Sequence, residues 1–108
     1  MHDSMDRVFK ALANAHRRAL LDRLHESNGL TQKELGEGTG MTQQAVAQHL
    51  AVLEAANLVT THRRGREKLH YINPVPLQAV TDRWIRKFER SRLEALADLK
   101  RALEEDDR

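Results

Sequence analysis

GMTQQAVAQHLAVLEAAN, residues 40–57, decides the fold. Gly40 permits a turn, Thr42 is a hydroxyl N-cap, and Val46, Leu50 and Leu53 recur at helical spacing, which predicts a helix from this point. On a helical wheel Gln43, Gln44, Ala47, Gln48 and Ala51 fall away from that stripe. A solvated helix face ordinarily carries Lys and Glu, whereas this one is amide-bearing, small and almost chargeless. Carboxamides suit base edges, because Asn or Gln can donate to and accept from one base at once. Ala and Gln on adjacent turns keep the face slim enough for a major groove. Thr42 leaves N–H groups at the helix start available to a phosphate. Taken as structure alone, the same face is an Ala/Gln-rich surface helix.

Working back towards the N-terminus, Asp3 or Ser4 can cap a first helix carrying Val8, Phe9 and Leu12. Asn14 can cap a second with Leu20, Leu21 and Leu24, which Ser27-Asn28-Gly29 ends. Thr31-Gln32-Lys33-Glu34 has capping-box spacing, hydroxyl at the cap and carboxylate three residues on, so a short helix begins at Thr31. It is expected to stop near Gly38-Thr39-Gly40, since glycines at 36, 38 and 40 weaken a helix and permit a tight turn. Short helix, glycine turn and longer helix over 31–57 make a helix-turn-helix.

Working forward, the periodicity after Leu58 changes from helical to alternating. Val59, Thr61 and Arg63 point one way, Thr60, His62 and Arg64 the other. Leu69, Tyr71 and Ile72 suggest a returning strand, with the hairpin tip at Arg64-Gly65. Residues 58–73 thus read as a two-stranded wing presenting Arg63, Arg64, Arg66 and Lys68, with Glu67 the one acid nearby. Such a hairpin suits phosphate contacts or a narrow minor groove, although charged residues also protect sheet edges.

Asn73-Pro74-Val75-Pro76 breaks the strand, and helix follows from Leu77 to about Leu103 with apolar Leu77, Val80, Trp84, Phe88, Leu96, Leu99 and Leu103. A domain this small offers no internal surface long enough to cover that stripe. The excess, with its Trp and Phe, calls for a second copy in a two-fold dimer, in which helices at 1–13 and 76–105 pair and Val8, Phe9, Leu77, Val80, Trp84, Phe88 and Leu96 form the interface. Arg83, Arg86, Lys87, Arg90 and Arg92 alternate with Asp82, Glu89 and Glu94, which reads as a salt-bridged solvated face.

The chain has 108 residues, enough for a single domain over 1–108, and its aromatics are Phe9, Tyr71, Trp84 and Phe88, so its core is aliphatic. It has no cysteine, which excludes disulfides, thiolate metal sites and thiol nucleophiles and favours the cytosol. No apolar run approaches a membrane span, and MHDSMDR lacks the regions of a signal peptide. The net charge of +2 says little, but its distribution does: HRRGREK is basic and the terminal EEDD acidic. The fold class expected is mainly α with a small β-hairpin, five helices plus a two-stranded wing, dimeric through its terminal helices.

Three stretches carry a family resemblance: LANAHRRALLDRL at 12–24, LTQKELGEGTGMTQQAVAQHLAVLEAANLV at 30–59, and THRRGREKLHYI at 61–72. Through them nearly the whole chain resembles the ArsR/SmtB family of winged-helix repressors. The run Val46, His49, Leu50, Leu53 followed by Asn57-Leu58-Val59 is the most specific part. The resemblance implies that the helix beginning at Gln43 enters the major groove and that Gln43, Gln44, Ala47 and Gln48 face bases or phosphates. Ala47 departs from the hydroxyl residue usual there, so one polar contact is missing and no relative's operator can be borrowed. Family sensors of arsenic and cadmium carry Cys-x-Cys on the helix before the turn, where this chain has Gly36 and Gly38. A second family site uses Asp, His and Glu on the last helix, and no histidine occurs between Leu77 and Arg108. Acids such as Asp82 and Glu89 alone suit a hard cation and not zinc. No metal or other cofactor is therefore expected. The residual metal reading pairs His2 and Asp3 with a histidine of a partner chain.

The other histidines fit lesser roles. His49, at the border of the apolar stripe, is a packed or phosphate-bridging side chain, and His62 and His70 are candidates for a cross-strand pair. His16 and His25 fall on the surface or at the end of the second helix. Any functional role would take the form of mild acid sensitivity, charge strengthening phosphate contact. Ser4, Ser27 and Ser91 have no His and Asp constellation, and the three glycines follow no strand, so neither an enzyme nor a dinucleotide loop is indicated. The expectation is a homodimeric, sequence-specific repressor of an inverted-repeat operator in double-stranded DNA, touching it through Thr42, Gln43, Gln44, Ala47, Gln48, His49, Arg63, Arg64, Arg66 and Lys68. Two alternatives are a sensor-repressor with non-cysteine ligands and a winged-helix module that binds protein. The sequence names neither effector nor operator.

Overall fold

The computed structural model describes residues 4–106. Asp3, one of the two caps considered for the first helix, and the His2 and Asp3 pair of the residual metal reading lie outside the described residues. The elements are α1 (Ser4–Leu12), α2 (Ala15–Glu26), α3 (Gln32–Gly36), α4 (Gln43–Ala55), β1 (Val59–Arg64), β2 (Glu67–Ile72), α5 (Val75–Val80), a π-helical stretch (Thr81–Ile85) and α6 (Arg86–Asp106). The last three form one helical run, so the helices number five among the described residues, with a two-stranded antiparallel sheet. The chain divides into two compact units, Met1–Leu77 and Gln78–Arg108.

The first unit is held by Val8, Ala11, Leu20, Leu21, Leu24, Leu35, Val46, Leu50, Leu53, Leu58, Val59 and Leu69, all buried. Burial of one such aliphatic side chain is worth about 1.5–3 kcal/mol. The polar caps fix where its helices begin. Asn14 accepts from the N–H groups of His16 and Arg17. Thr31 and Glu34 form the complete capping box, and Thr42 Oγ1 accepts from Ala45 N at 3.1 Å.

The ends of the helices draw on more distant partners. α3 stops at Gly36, earlier than the glycine pattern implied, because Gly38 and Gly40 have φ of +75° and +76° and cannot continue a right-handed helix. Its last carbonyls are taken by Arg23 of α2, whose Nη1 donates to the oxygens of Glu34 (3.2 Å), Leu35 (3.0 Å) and Glu37. Two more arginines of α2 do the same for the end of α1. Arg17 donates to the oxygens of Ala11 and Lys10, and Arg18 to that of Leu12. α4 closes in a Schellman motif: Asn57, at φ +60°, donates its N–H to Glu54 O, while Leu58 N reaches Leu53 O at 3.0 Å.

β1 and β2 pair in the register Val59↔Ile72 to Arg64↔Glu67. The turn is Gly65-Arg66, one residue later than the sequence suggested, with Gly65 at φ +63°. That is the pattern of a II′ hairpin, glycine first. A feature no periodicity announced is a single antiparallel bridge, Leu30↔His70, beside β2. It buries His70, whose Nδ1–H donates to Leu30 O at 2.9 Å. The expected pairing of His62 with His70 is thereby corrected. His70 faces Thr61, and His62 faces Leu69, so the two rings lie on opposite faces of the ladder.

In the second unit the π turn is closed by Arg86 N–H to Thr81 O. Arg86 pairs with Asp82 at 3.1 Å, the one ion pair among the described residues that falls within the charged set read from the sequence, while Lys100 with Glu104 at 4.0 Å and Arg101 with Asp98 lie beyond that set. Trp84, Ile85, Phe88, Leu93, Leu96, Leu99 and Leu103 are exposed. No helix among the described residues is long and apolar enough to cross a membrane.

Candidate nucleic-acid interface

α4 is anchored by Val46, Leu50 and Leu53, and the 3.6-residue period then fixes what faces outward. Thr42, Gln43, Gln44, Gln48 and Ala51 are exposed, and Ala47 is half-buried. With Thr42 Oγ1 engaged by Ala45, the N–H groups of Gln43 and Gln44 are left at the open end of the helix. The carboxamides of Gln44 and Gln48 have no partner among the described residues. Gln43 differs: Gln32 Nε2, on α3, donates to its main-chain oxygen at 3.0 Å and to its Oε1 at 3.2 Å. Nothing local in the sequence marks Gln32 as part of this site.

His49 faces inward. Its Nδ1 lies 3.4 Å from Arg17 Nη1, and its ring is 5.7 Å from that of His16. Burial first, then the charge of Arg17 and then His16, holds its pKa below the ordinary 6.5. The packed alternative is the one the structure displays, with His49 bracing α4 against α2. Acid does not readily give it the charge that a phosphate contact would use.

On the wing Arg63, Arg64, Arg66 and Lys68 are all exposed. Arg64 faces Glu67 across the ladder, but Arg63 faces Lys68, and like charges directly opposite destabilise a hairpin. Lys68 also reaches back to Glu54 of α4 at 3.5 Å, which ties the wing to the helix and neutralises part of its charge. What remains is an arginine tip carrying more positive charge than its surroundings balance. The amide face and the arginine tip together offer hydrogen bonds to base edges from one element and charge to phosphates from the other.

The Cys-x-Cys positions are Gly36 and Gly38, and Gly36 packs close to α4. A Cβ placed on it would meet Gln43 Nε2 at 2.5 Å and Val46 Cγ2 at 3.1 Å. Of the residues expected at a dimer interface, Val8 is corrected to a core residue, only 3% exposed, because the phase of α1 turns it inward and Phe9 outward. Leu77 and Val80 are half-buried, and Trp84, Phe88 and Leu96 are exposed.

A family model described as a helix-turn-helix domain matches residues 12–62. Over 91 residues the chain is 41% identical to the uncharacterized HTH-type transcriptional regulator YuzN of Bacillus subtilis (strain 168), which covers 79% of this chain and 99% of that protein. Its structure is similar to the crystal structure of an ArsR family transcriptional regulator, RHA00566, with a TM-score of 0.69 at 30% identity over 81% of this chain and 88% of that one. It is similar also to the homodimeric winged helix-turn-helix DNA-binding domain Mb0332 of Mycobacterium bovis, a possible ArsR-family regulator. There the TM-score is 0.63 at 29% identity, over 74% of this chain and 80% of that one.

Proposed function

The chain belongs to the ArsR/SmtB family of winged helix-turn-helix transcriptional regulators, and from that premise we propose that it is a cytoplasmic, homodimeric repressor of an inverted-repeat operator. The observation that carries this reading is the outward face of α4, where unpartnered Gln44 and Gln48 flank small Ala47 and no charged side chain intervenes. Such a face is costly to explain as ordinary solvated surface and matches the donor and acceptor pattern of base edges in a major groove. The exposed stripe of α6 supplies the surface for a second copy, and the similar Mb0332 domain is homodimeric. Two α4 helices held about one or two turns of DNA apart would enter successive major grooves while the wings grip the flanking backbone, and the bound dimer blocks access to the duplex.

The two kinds of DNA contact separate by experiment. Arg64→Ala or Arg66→Ala should weaken binding to operator and random duplex alike and lower the salt slope by about one for each phosphate no longer neutralised. Gln44→Ala or Gln48→Ala should reduce discrimination between operator and random duplex by about 1–3 kcal/mol for each base edge no longer read, and leave the salt slope unchanged. Fluorescence anisotropy across a salt series measures both quantities. Sequence choice altered by the arginine changes and untouched by the glutamine changes would reverse the assignment.

A further inference from the structure

We propose that Gln32 and Gly36 form a seat that holds the Gln43 carboxamide against α3, so that Gln43 fixes the turn and base discrimination falls to Gln44 and Gln48. The inference rests on the reading that α4 enters the major groove. Gln32 and Gly36 stand four residues apart on α3, so they share the face turned to α4. From the first, Nε2 donates to both oxygens of Gln43, main-chain and side-chain. Over the second lies the other end of the same carboxamide, with Gln43 Nε2 only 2.5 Å from where a Cβ would stand. Both ends of the amide are thus seated, its oxygen on a donor and its nitrogen in the space that the missing side chain leaves. A glutamine reads adenine by presenting oxygen and nitrogen together along one base edge. Gln43 cannot do that without leaving the seat, whereas Gln44 and Gln48 have no competing partner among the described residues. The seat itself is stiff. α3 is closed at its start by the capping box and at its end by Arg23, so Gln32 and Gly36 keep their spacing.

The test needs no prior operator. The full-length protein and its variants are incubated with a pool of random-sequence duplexes, and the retained DNA is sequenced. Gln43→Ala should leave the selected motif within about threefold at every position, well below the effect of a good base contact. Gln32→Ala should release the carboxamide and create a new preference, on the order of tenfold, at one position of each half-site. Gly36→Ala should create the same preference by filling the space, and each gain should vanish when Gln43→Ala is added, the signature of a coupled pair. A merely structural lesion lowers retention of all sequences and moves no base preference. Gln32 is only half-buried, so its variant remains informative if Gly36→Ala fails to fold, as circular dichroism will report. A tenfold preference erased by Gln43→Ala alone, or an unchanged motif in Gln32→Ala, overturns the seat. Gln44→Ala and Gln48→Ala, run alongside, separate the two failures. If they relax the motif, only the seat is wrong, and if they also leave it unchanged, α4 is not the reader.

Discussion

His49 carries one ring of the α4 surface into contact with Arg17 and His16, and its protonation is opposed there by burial and by both neighbours. In an unfolded chain it titrates at its ordinary value of 6.5, so as pH falls the unfolded state takes up the proton first. The stability that neutral His49 contributes is therefore complete above about pH 6.5 and is lost as pH drops from there through its lowered folded value. Thermal midpoints measured from pH 7.5 downward should decline over that interval, and His49→Gln should flatten the decline; an identical slope in the variant contradicts it. Glu34 acts in a separate, more acidic window. The N–H and hydroxyl of Thr31 hold its carboxylate below 4.5, so the capping box is lost only as pH falls through that lowered value. Thr31, Thr42 and Asn14 were legible in the sequence because a cap and its partner lie within three residues. The partners of His49 and His70 were not, because they lie 32 and 40 residues away.

Among the elements, α2 is the one whose role was least visible. Nothing in the sequence marks its arginines, yet Arg17, Arg18 and Arg23 spend their guanidinium groups on the carbonyls that α1 and α3 leave open at their ends. Arg23 matters most for function, because α3 and the glycine turn set where α4 starts. Arg23→Ala should destabilise the chain by about 1–3 kcal/mol, the cost of orphaned carbonyls, and Arg23→Lys should recover only part of it, since all three bonds come from the one nitrogen Nη1, which an ammonium on a shorter stem does not fully reach. Chemical denaturation of the three proteins checks this; full recovery in the lysine variant would show that charge and not geometry is what α3 requires. The amphipathic helices and the wing were readable because each repeats a period over several residues. The Leu30↔His70 bridge is one residue long, and the π turn at Thr81–Ile85 carries no marker residue, so neither leaves a pattern to detect.

For the molecule as a whole, the question is what the uncovered stripe of α6 does for DNA binding. Trp84 is 48% exposed and Phe88 70%, with four leucines beyond them also in the open. Covering such side chains returns a good part of the about 1.5–3 kcal/mol that each is worth when buried. In the proposed dimer that sum stands against an association cost of about 4–15 kcal/mol, which makes pairing through α6 sensitive to concentration. Every buried hydrophobic side chain among the described residues lies at or before Leu69, so a chain ending before Trp84 keeps its core. Under the proposed function the stripe is the main link between two half-sites, and the truncated chain lacks it. Linked binding raises apparent affinity by about 10²–10⁴ over a single engagement, so the truncated chain should sediment as a monomer, keep its helical circular dichroism and bind an operator duplex at least about a hundredfold more weakly. Its affinity for one half-site should match that of the full chain, because α4 and the wing are untouched. A truncated monomer that still binds the whole operator at full strength would show that one copy suffices and that the stripe serves some other partner.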